Sequence, residues 1–260
     1  MTPCTIFHMP TVIHPTAIIE KGAQLGADCQ IHPYAIVKKG ALLGDRVAVH
    51  PFSVVGGDSQ DLKFDAAVPS GVRIGAGTTI RESVTINRST VEGSCTEVGS
   101  DCLLMACCHV AHDCVVGNRV VIANAVLLAG HVHVDDNAIL GGCALLHQFI
   151  RVGRGSMVGG GSRSTLDVPP FVMTSERDEV IGLNLIGLRR QGYSAEAIRE
   201  LKDAFRAVYF TAGNIREIAA ATLASGRFKD PAARLFLEFF EGGTRGFTRA
   251  RRQGEAGGEA

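Results

Sequence analysis

The sequence has no tryptophan, only three tyrosines, and no excess of charge: 26 basic side chains face 26 acidic ones over 260 residues. Without a basic surplus, a protein that works mainly by neutralising nucleic-acid phosphates is disfavoured. No apolar run approaches the roughly 18–20 residues of a membrane span. The opening Met1-Thr2-Pro3-Cys4-Thr5-Ile6 lacks the basic n-region of a secretory signal. The expectation is a cytoplasmic chain with no transmembrane segment and no nucleic-acid partner. Eight cysteines include no C-x-x-C pair, so neither a zinc knuckle nor a disulfide framework is indicated. Cys29, Cys102, Cys108 and Cys114 share one phase of the repeat described next and read as small buried thiols that stay reduced. What the chain does have is aliphatic residues, with 46% of positions hydrophobic, and 31 glycines. That excludes a wholly disordered polymer.

The aliphatic residues recur every six positions. Ile13, Ile19, Leu25, Ile31, Val37, Leu43, Val49 and Val55 form one run. Ile74, Ile80 and Ile86 resume it, and a third run passes unbroken from Val98 through Leu104, Val110, Val116, Ile122, Leu128, Val134, Leu140, Leu146 and Val152 to Val158. The residue four places on is small, as at Ala17, Ala23, Cys29 and Ala35. A period of six matches no helical stripe. It is the hexapeptide signature of a parallel β-helix, here of the left-handed kind, in which three short strands make a triangular coil of 18 residues and coils stack at about 4.8 Å.

Two segments interrupt the period. Residues 57–72 form a polar insertion, and residues 89–97 disturb a second coil without shifting its phase. Such excursions are usually surface loops, and a minority carry function. The β-helix is expected to occupy residues 1–170 and to stop near Asp167-Val168-Pro169-Pro170, because proline cannot donate to a ladder. An α-helical domain is expected over 171–253. Ser194 can cap a helix running to about Thr211, Asn214 with Glu217 resembles a capping box, and Asp230-Pro231 pairs an N-cap with proline at N1. Residues 254–260 read as a disordered tail. Residues 186–252 carry 13 basic and 7 acidic side chains. This reads either as a solvated helical face or as a dock for an acidic partner on Arg189, Arg190, Arg199, Lys202 and Arg206.

The histidines fall into two groups. His14, His32 and His50 each precede proline and lie 18 apart, so they stack on one corner, a structural role. The second group is His109, His112, His131, His133 and His147. Adding 18 to position 112 gives Gly130, and 18 more gives Gln148, with His131 and His147 flanking that line. Three imidazoles on one edge could bind zinc, act as acid–base groups, or decorate a corner. Zinc requires convergence at about 2.0–2.1 Å, whereas stacked positions point in parallel.

Several strings point to one family: QDLKF (60–64), IRESVTINR (80–88), VGSDCLLMACCHVAHDC (98–114), VGNR (116–119), LAGHVHVDD (128–136), HQF (147–149), DVPPF (167–171) and GLNLIGLRRQGYS (182–194). Together they resemble the UDP-N-acetylglucosamine O-acyltransferases that begin lipid A synthesis, over essentially the whole chain. The resemblance implies a homotrimer with its active sites in clefts between neighbouring β-helices; no cofactor and no metal are expected. It also implies transfer of an (R)-3-hydroxyacyl group from acyl carrier protein to the 3-hydroxyl of UDP-N-acetylglucosamine. His112 matches the family's general base, Gly130 the glycine whose N–H serves the oxyanion, and Asp113 a group that orients or polarises the base, although neighbours on a strand face opposite ways. Asp61, Lys63, His109, His131, His147 and Gln148 match nucleotide-sugar or acyl-chain contacts. Asn184 and Arg190 match residues that reach the nucleotide from a neighbouring subunit. Gly160 stands at the acyl-chain ruler and implies a deeper groove for longer chains.

Three departures from the family pattern stand out. The β-helix is about one 18-residue coil shorter at its start, Ile186 replaces an acidic nucleotide contact, and Gln191 replaces a second arginine. The related sugar N-acyltransferases carry an additional uridine-binding domain before the β-helix; with the repeat beginning at Ile13, no such domain is expected here. A sugar O-acetyltransferase leaves the 184–193 match unexplained. A catalytically silent β-helix scaffold is the reading from a different class, and His112, Lys63 and Gly130 being in place argues against it.

Overall fold

The computed structural model describes residues 10–176 and 178–250; the 254–260 tail lies outside them. Three parallel sheets form the faces of a left-handed β-helix. Strands of two to four residues alternate from face to face, so each pairs with the strand three places on: Val12–Ile13 with Gln30–Ile31, Ile18–Ile19 with Ile36–Val37, Gln24–Leu25 with Leu42 and Leu43. The described strands assemble into sheets of 11, 8 and 7.

The six-residue period does what the geometry of a coil requires. Every aliphatic position of the period from Ile31 to Val158 is no more than 5% exposed. Only the first coil departs, with Ile13 at 45% exposure. The corners are tight enough to need left-handed backbone, and the chain adopts it with ordinary residues. Asp28, Arg46, Asp101, Asp113, His131 and Phe149 all have φ between 56° and 67°. None of the non-glycine residues found there is β-branched, as the crowding of that conformation demands. Small buried groups, including Cys29, Cys102, Cys108 and Cys114, fill the inside of the turns. Burial pushes the Cys108 and Cys114 thiols up to about 12, so they are inert.

The prolines do not end the ladder where expected. Val168 bridges Val152, and Val172–Ser175 pairs in parallel with Met157–Val158, one strand beyond Pro170. Pro169 and Pro170 sit in the corner between these pairings, where no ladder N–H is needed. Val172–Ser175 then turns back as an antiparallel hairpin with Glu179–Leu183. The region after 171 therefore begins as sheet, not helix. Four α-helices follow among the described residues: α1 (Leu185–Arg190), α2 (Ala195–Tyr209), α3 (Ile215–Ala224) and α4 (Pro231–Glu238). Ser194, Asn214 and Asp230 cap the last three with their side chains. Phe205, Tyr209, Phe236, Phe240 and Phe247 pack edge to face or tilted at centroid separations of 4.8–6.4 Å. The chain then returns to the sheet: Arg249–Ala250 pairs with Glu179 and Val180.

The return is fastened by Asp167, whose side chain is fully buried. Its carboxylate accepts from the Arg151 amide at 2.9 Å and guanidinium at 2.8 Å. The same guanidinium lies 4.1 Å over the Phe239 ring. Removing one partner of such a pair leaves an uncompensated buried charge, so it ties the helices to the last coils.

Candidate active site

Both interruptions of the repeat leave the β-helix at one corner, between the 8-stranded and 7-stranded sheets. The first pairs Val54 with Thr85 across a lengthened coil. The second pairs Thr85 with His109, 24 residues on instead of 18. On the next coil this same corner carries His112 and Asp113, followed upward by Gly130-His131 and by Gln148-Phe149. A cleft of about 740 Å³ opens there. Gln60, Asp61, His109, His112, Gly130, His131, His147, Gln148 and Arg163 are among its lining residues.

His112 and Asp113 face each other despite being neighbours in sequence. They lie in the turn rather than on a strand, and Asp113 has φ of 60°. The left-handed residue folds its carboxylate back, and Oδ2 lies 2.8 Å from His112 Nδ1. The expectation that strand alternation would separate them fails for this reason. The carboxylate also accepts from the Ser89 hydroxyl, from Thr90 Oγ1 at 2.6 Å and from the Thr90 amide at 3.2 Å. Burial works to raise its pKa, but the hydroxyls and the His112 ring together outweigh that and hold it below the usual carboxylate value.

Gly130 lies directly over the His112 ring. A Cβ at position 130 would fall 2.6 Å from Cε1 and 2.7 Å from Nε2, so only glycine fits without displacing the imidazole. Among the described residues no hydrogen bond reaches His112 Nε2, and no carbonyl accepts the Gly130 N–H. His131 packs edge-on to His112 at 5.1 Å and stacks on Phe149 at 4.5 Å. His109 bonds Thr85 Oγ1 through Nδ1 at 2.7 Å. Burial, then the neighbouring His112, holds its pKa below the ordinary histidine value. His147 receives the Arg245 guanidinium from the C-terminal segment.

His112, Asp113 and His131 each place one possible ligand atom within 4.8 Å of the others. The Asp113 oxygens, however, are already filled by Ser89, Thr90 and His112 itself. An ion would have to displace these bonds.

The remaining expected residues are dispersed. Lys63 is exposed on the first insertion, which spans 58–70 and not 57–72, since Val54–Gly57 and Gly71–Ile74 are strands; its amide donates to Asp61 Oδ1 at 2.8 Å. Asn184 is buried, with Oδ1 capping α1 at Gly187 N and Nδ2 donating to the Gly155 carbonyl at 3.0 Å. Arg190 is exposed in the last turn of α1. Gly160 stacks on Gly142 and does not line the cleft. Asn184 and Arg190 do not join the cleft within one chain. Residues missed from sequence are Gln60, Ser89, Thr90, Phe149, Arg163 and Arg245. Two of them had a signal: Gln60 opens the QDLKF string, and Phe149 continues the 18-residue column of Asp113 and His131.

A left-handed β-helix of this kind, with a histidine-lined corner, defines the hexapeptide-repeat transferase class. The model for bacterial transferase hexapeptide repeats matches residues 22–57 and 95–130, and that for domain 2 of UDP N-acetylglucosamine O-acyltransferase matches 167–248. The UDP-N-acetylglucosamine acyltransferase of Campylobacter jejuni is similar at 34% identity and TM-score 0.81, covering 92% of this chain and 100% of that one. The Moraxella catarrhalis enzyme is similar at 36% and 0.75, covering 91% and 99%. The Francisella novicida enzyme superposes with TM-score 0.84 at 26% identity, covering 93% and 95%. The chain belongs to the UDP-N-acetylglucosamine O-acyltransferase family. A curated relative, acyl-[acyl-carrier-protein]–UDP-N-acetylglucosamine O-acyltransferase of Burkholderia lata, is 41% identical over 128 residues. The match spans about half the length of this relative, 47%.

Proposed function

We propose that the protein transfers an (R)-3-hydroxyacyl group from acyl carrier protein to the 3-hydroxyl of UDP-N-acetylglucosamine, the opening step of lipid A synthesis. The observation that carries this reading is the His112 imidazole, fixed through Nδ1 by Asp113, with Nε2 free beneath Gly130 in an open cleft. Nε2 takes the proton of the sugar hydroxyl as its oxygen attacks the thioester carbonyl carbon. The carbonyl oxygen gains the negative charge and is met by the Gly130 N–H. The carbon–sulfur bond then breaks, the ester forms, and the imidazolium returns its proton to the departing thiolate. Asp113 stabilises the transient imidazolium and holds the tautomer, a role that does not require it to be protonated.

His109, His131, His147, Gln148, Asp61 and Lys63 are assigned to substrate contact. Arg190, exposed at the end of α1, is assigned to a neighbouring copy's site in a homotrimer, and so is Asn184, whose buried side chain would act there by capping α1; neither lines this chain's own cleft. Among the described residues no helix is long and apolar enough to cross a membrane, and the proposed substrates place the reaction in the cytoplasm. Purified protein mixed with UDP-N-acetylglucosamine and 3-hydroxyacyl carrier protein should yield acylated sugar nucleotide. Absence of product with carrier proteins spanning short to long chains would overturn the reading.

A further inference from the structure

The second interruption of the repeat, which the structure confines to residues 88–94 between the strands Thr85–Asn87 and Cys95–Val98, has no counterpart in the coils above it; Ser89 and Thr90 lie near its start. Ser89 and Thr90 point back into the β-helix corner. Ser89 is fully buried. Its hydroxyl accepts from the Val91 amide at 3.0 Å and donates to Asp113 Oδ1. Thr90 donates twice to the same carboxylate, through Oγ1 at 2.6 Å and through its amide. The Asp113 amide in turn donates to Thr96 Oγ1 at 2.8 Å, a residue of the same coil. Ser89, Thr90 and Thr96 all belong to the coil directly beneath His112. The coil from Thr85 to His109 is 24 residues long instead of 18, so this corner carries six extra residues.

We infer that Ser89 and Thr90 are positioning residues for the reaction proposed above, holding the Asp113 carboxylate in the one orientation that keeps the His112 proton on Nδ1 and leaves Nε2 open as the base. A carboxylate with its remaining lone pairs filled has no reason to rotate away toward water. Hydrogen bonds to a charged acceptor are the stronger kind, and two of them on one group restrict it more than either alone. The same pair has a second consequence. Because the donors sit on an excursion from the solenoid, the base is tuned by a segment that the repeat does not constrain.

The test compares the parent with Thr90→Val, Thr90→Ser and the Ser89→Ala/Thr90→Val double variant, each also in an Asp113→Asn background. Thr90→Val keeps the side chain's shape, and its residue is half-buried, so it reports even if the double variant folds poorly. Thr90→Val is expected to lower kcat about 10-fold and the double variant about 100-fold, with KM for the sugar nucleotide within about twofold. Thr90→Ser should return kcat to within about threefold of the parent. In the Asp113→Asn background the same changes should cost less than about twofold, since the group they hold is already altered. Equal losses in both backgrounds would mean a merely structural role and would overturn the inference. A substrate-independent reading separates this from failure of the proposed function. Nitrogen NMR of His112 should show a single Nδ1–H tautomer in the parent and a mixture in Thr90→Val. An unchanged tautomer in that variant sinks the inference. A parent that turns nothing over, yet shows the tautomer change, sinks only the assigned reaction.

Discussion

Two stretches of one β-helix obey different rules. From Val98 to Val158 the period never breaks, and each of its aliphatic positions is at most 2% exposed. Between Val55 and Val98 the chain leaves the solenoid twice, at one corner, and those departures supply Gln60 and Asp61 to the cleft and Ser89 and Thr90 to Asp113. The regular stretch fixes position: a residue 18 later lies one coil higher, which is how His112 meets Gly130. The interrupted stretch supplies what the repeat cannot, namely donors from beneath the site that need not obey the period. Stability should therefore reside mostly in the first stretch and fine control of the chemistry in the second.

The largest effect should come from breaking the regular stretch. Leu140→Ala, inside the core, is expected to cost about 2–5 kcal/mol in urea unfolding while the folded fraction keeps near-normal turnover. Gly130→Ala tests the contact that regularity creates. Its Cβ would meet the His112 ring at 2.6 Å, so turnover should fall about 10²-fold with the unfolding midpoint little changed. Gly160→Met sharpens the comparison at the far corner. A Cβ there already lies 3.3 Å from the Gly142 carbonyl. Gly160 does not line this chain's own cleft, so the proposed ruler role rests on a groove completed by a neighbouring copy; there the longer side chain should shift preference toward shorter acyl chains by about tenfold in kcat/KM, and unchanged selectivity would remove that role. The smallest effect is electrostatic. Burial holds His50 and His109 below the ordinary histidine value, with His32 and His112 respectively adding to it. The folded state thus binds these protons less readily than the unfolded chain, so stability should decline as pH falls below about 6.5. Melting temperatures of the parent and of His50→Gln between pH 7 and 5 should show a shallower decline in the variant.

How much of this was legible depended on whether the period reached it. The inward aliphatic positions and the column of His112, Gly130 and Gln148 follow from counting in sixes and eighteens. The caps Ser194, Asn214 and Asp230 are local and were equally readable. The Asp113–His112 pairing was not, because strand alternation does not apply in a corner whose second residue takes φ of 60°. Ser89 and Thr90 were hidden for the opposite reason: they lie 24 and 23 residues from Asp113, off the 18-residue spacing, since an insertion intervenes. Arg245 reaches His147 across 98 residues through a chain return that no pattern announces. The strand beyond Pro170 was missed because a proline excluded from a ladder is welcome in the corner between two of its rungs.

Steady-state kinetics of His112→Ala, alongside metal analysis of the parent, tests the central claim most directly. The account predicts about 10²–10⁴-fold lower kcat, nucleotide affinity within about twofold, and parent activity indifferent to chelators. A variant that keeps most of the parent's turnover, or a parent that loses activity with bound zinc, would contradict it.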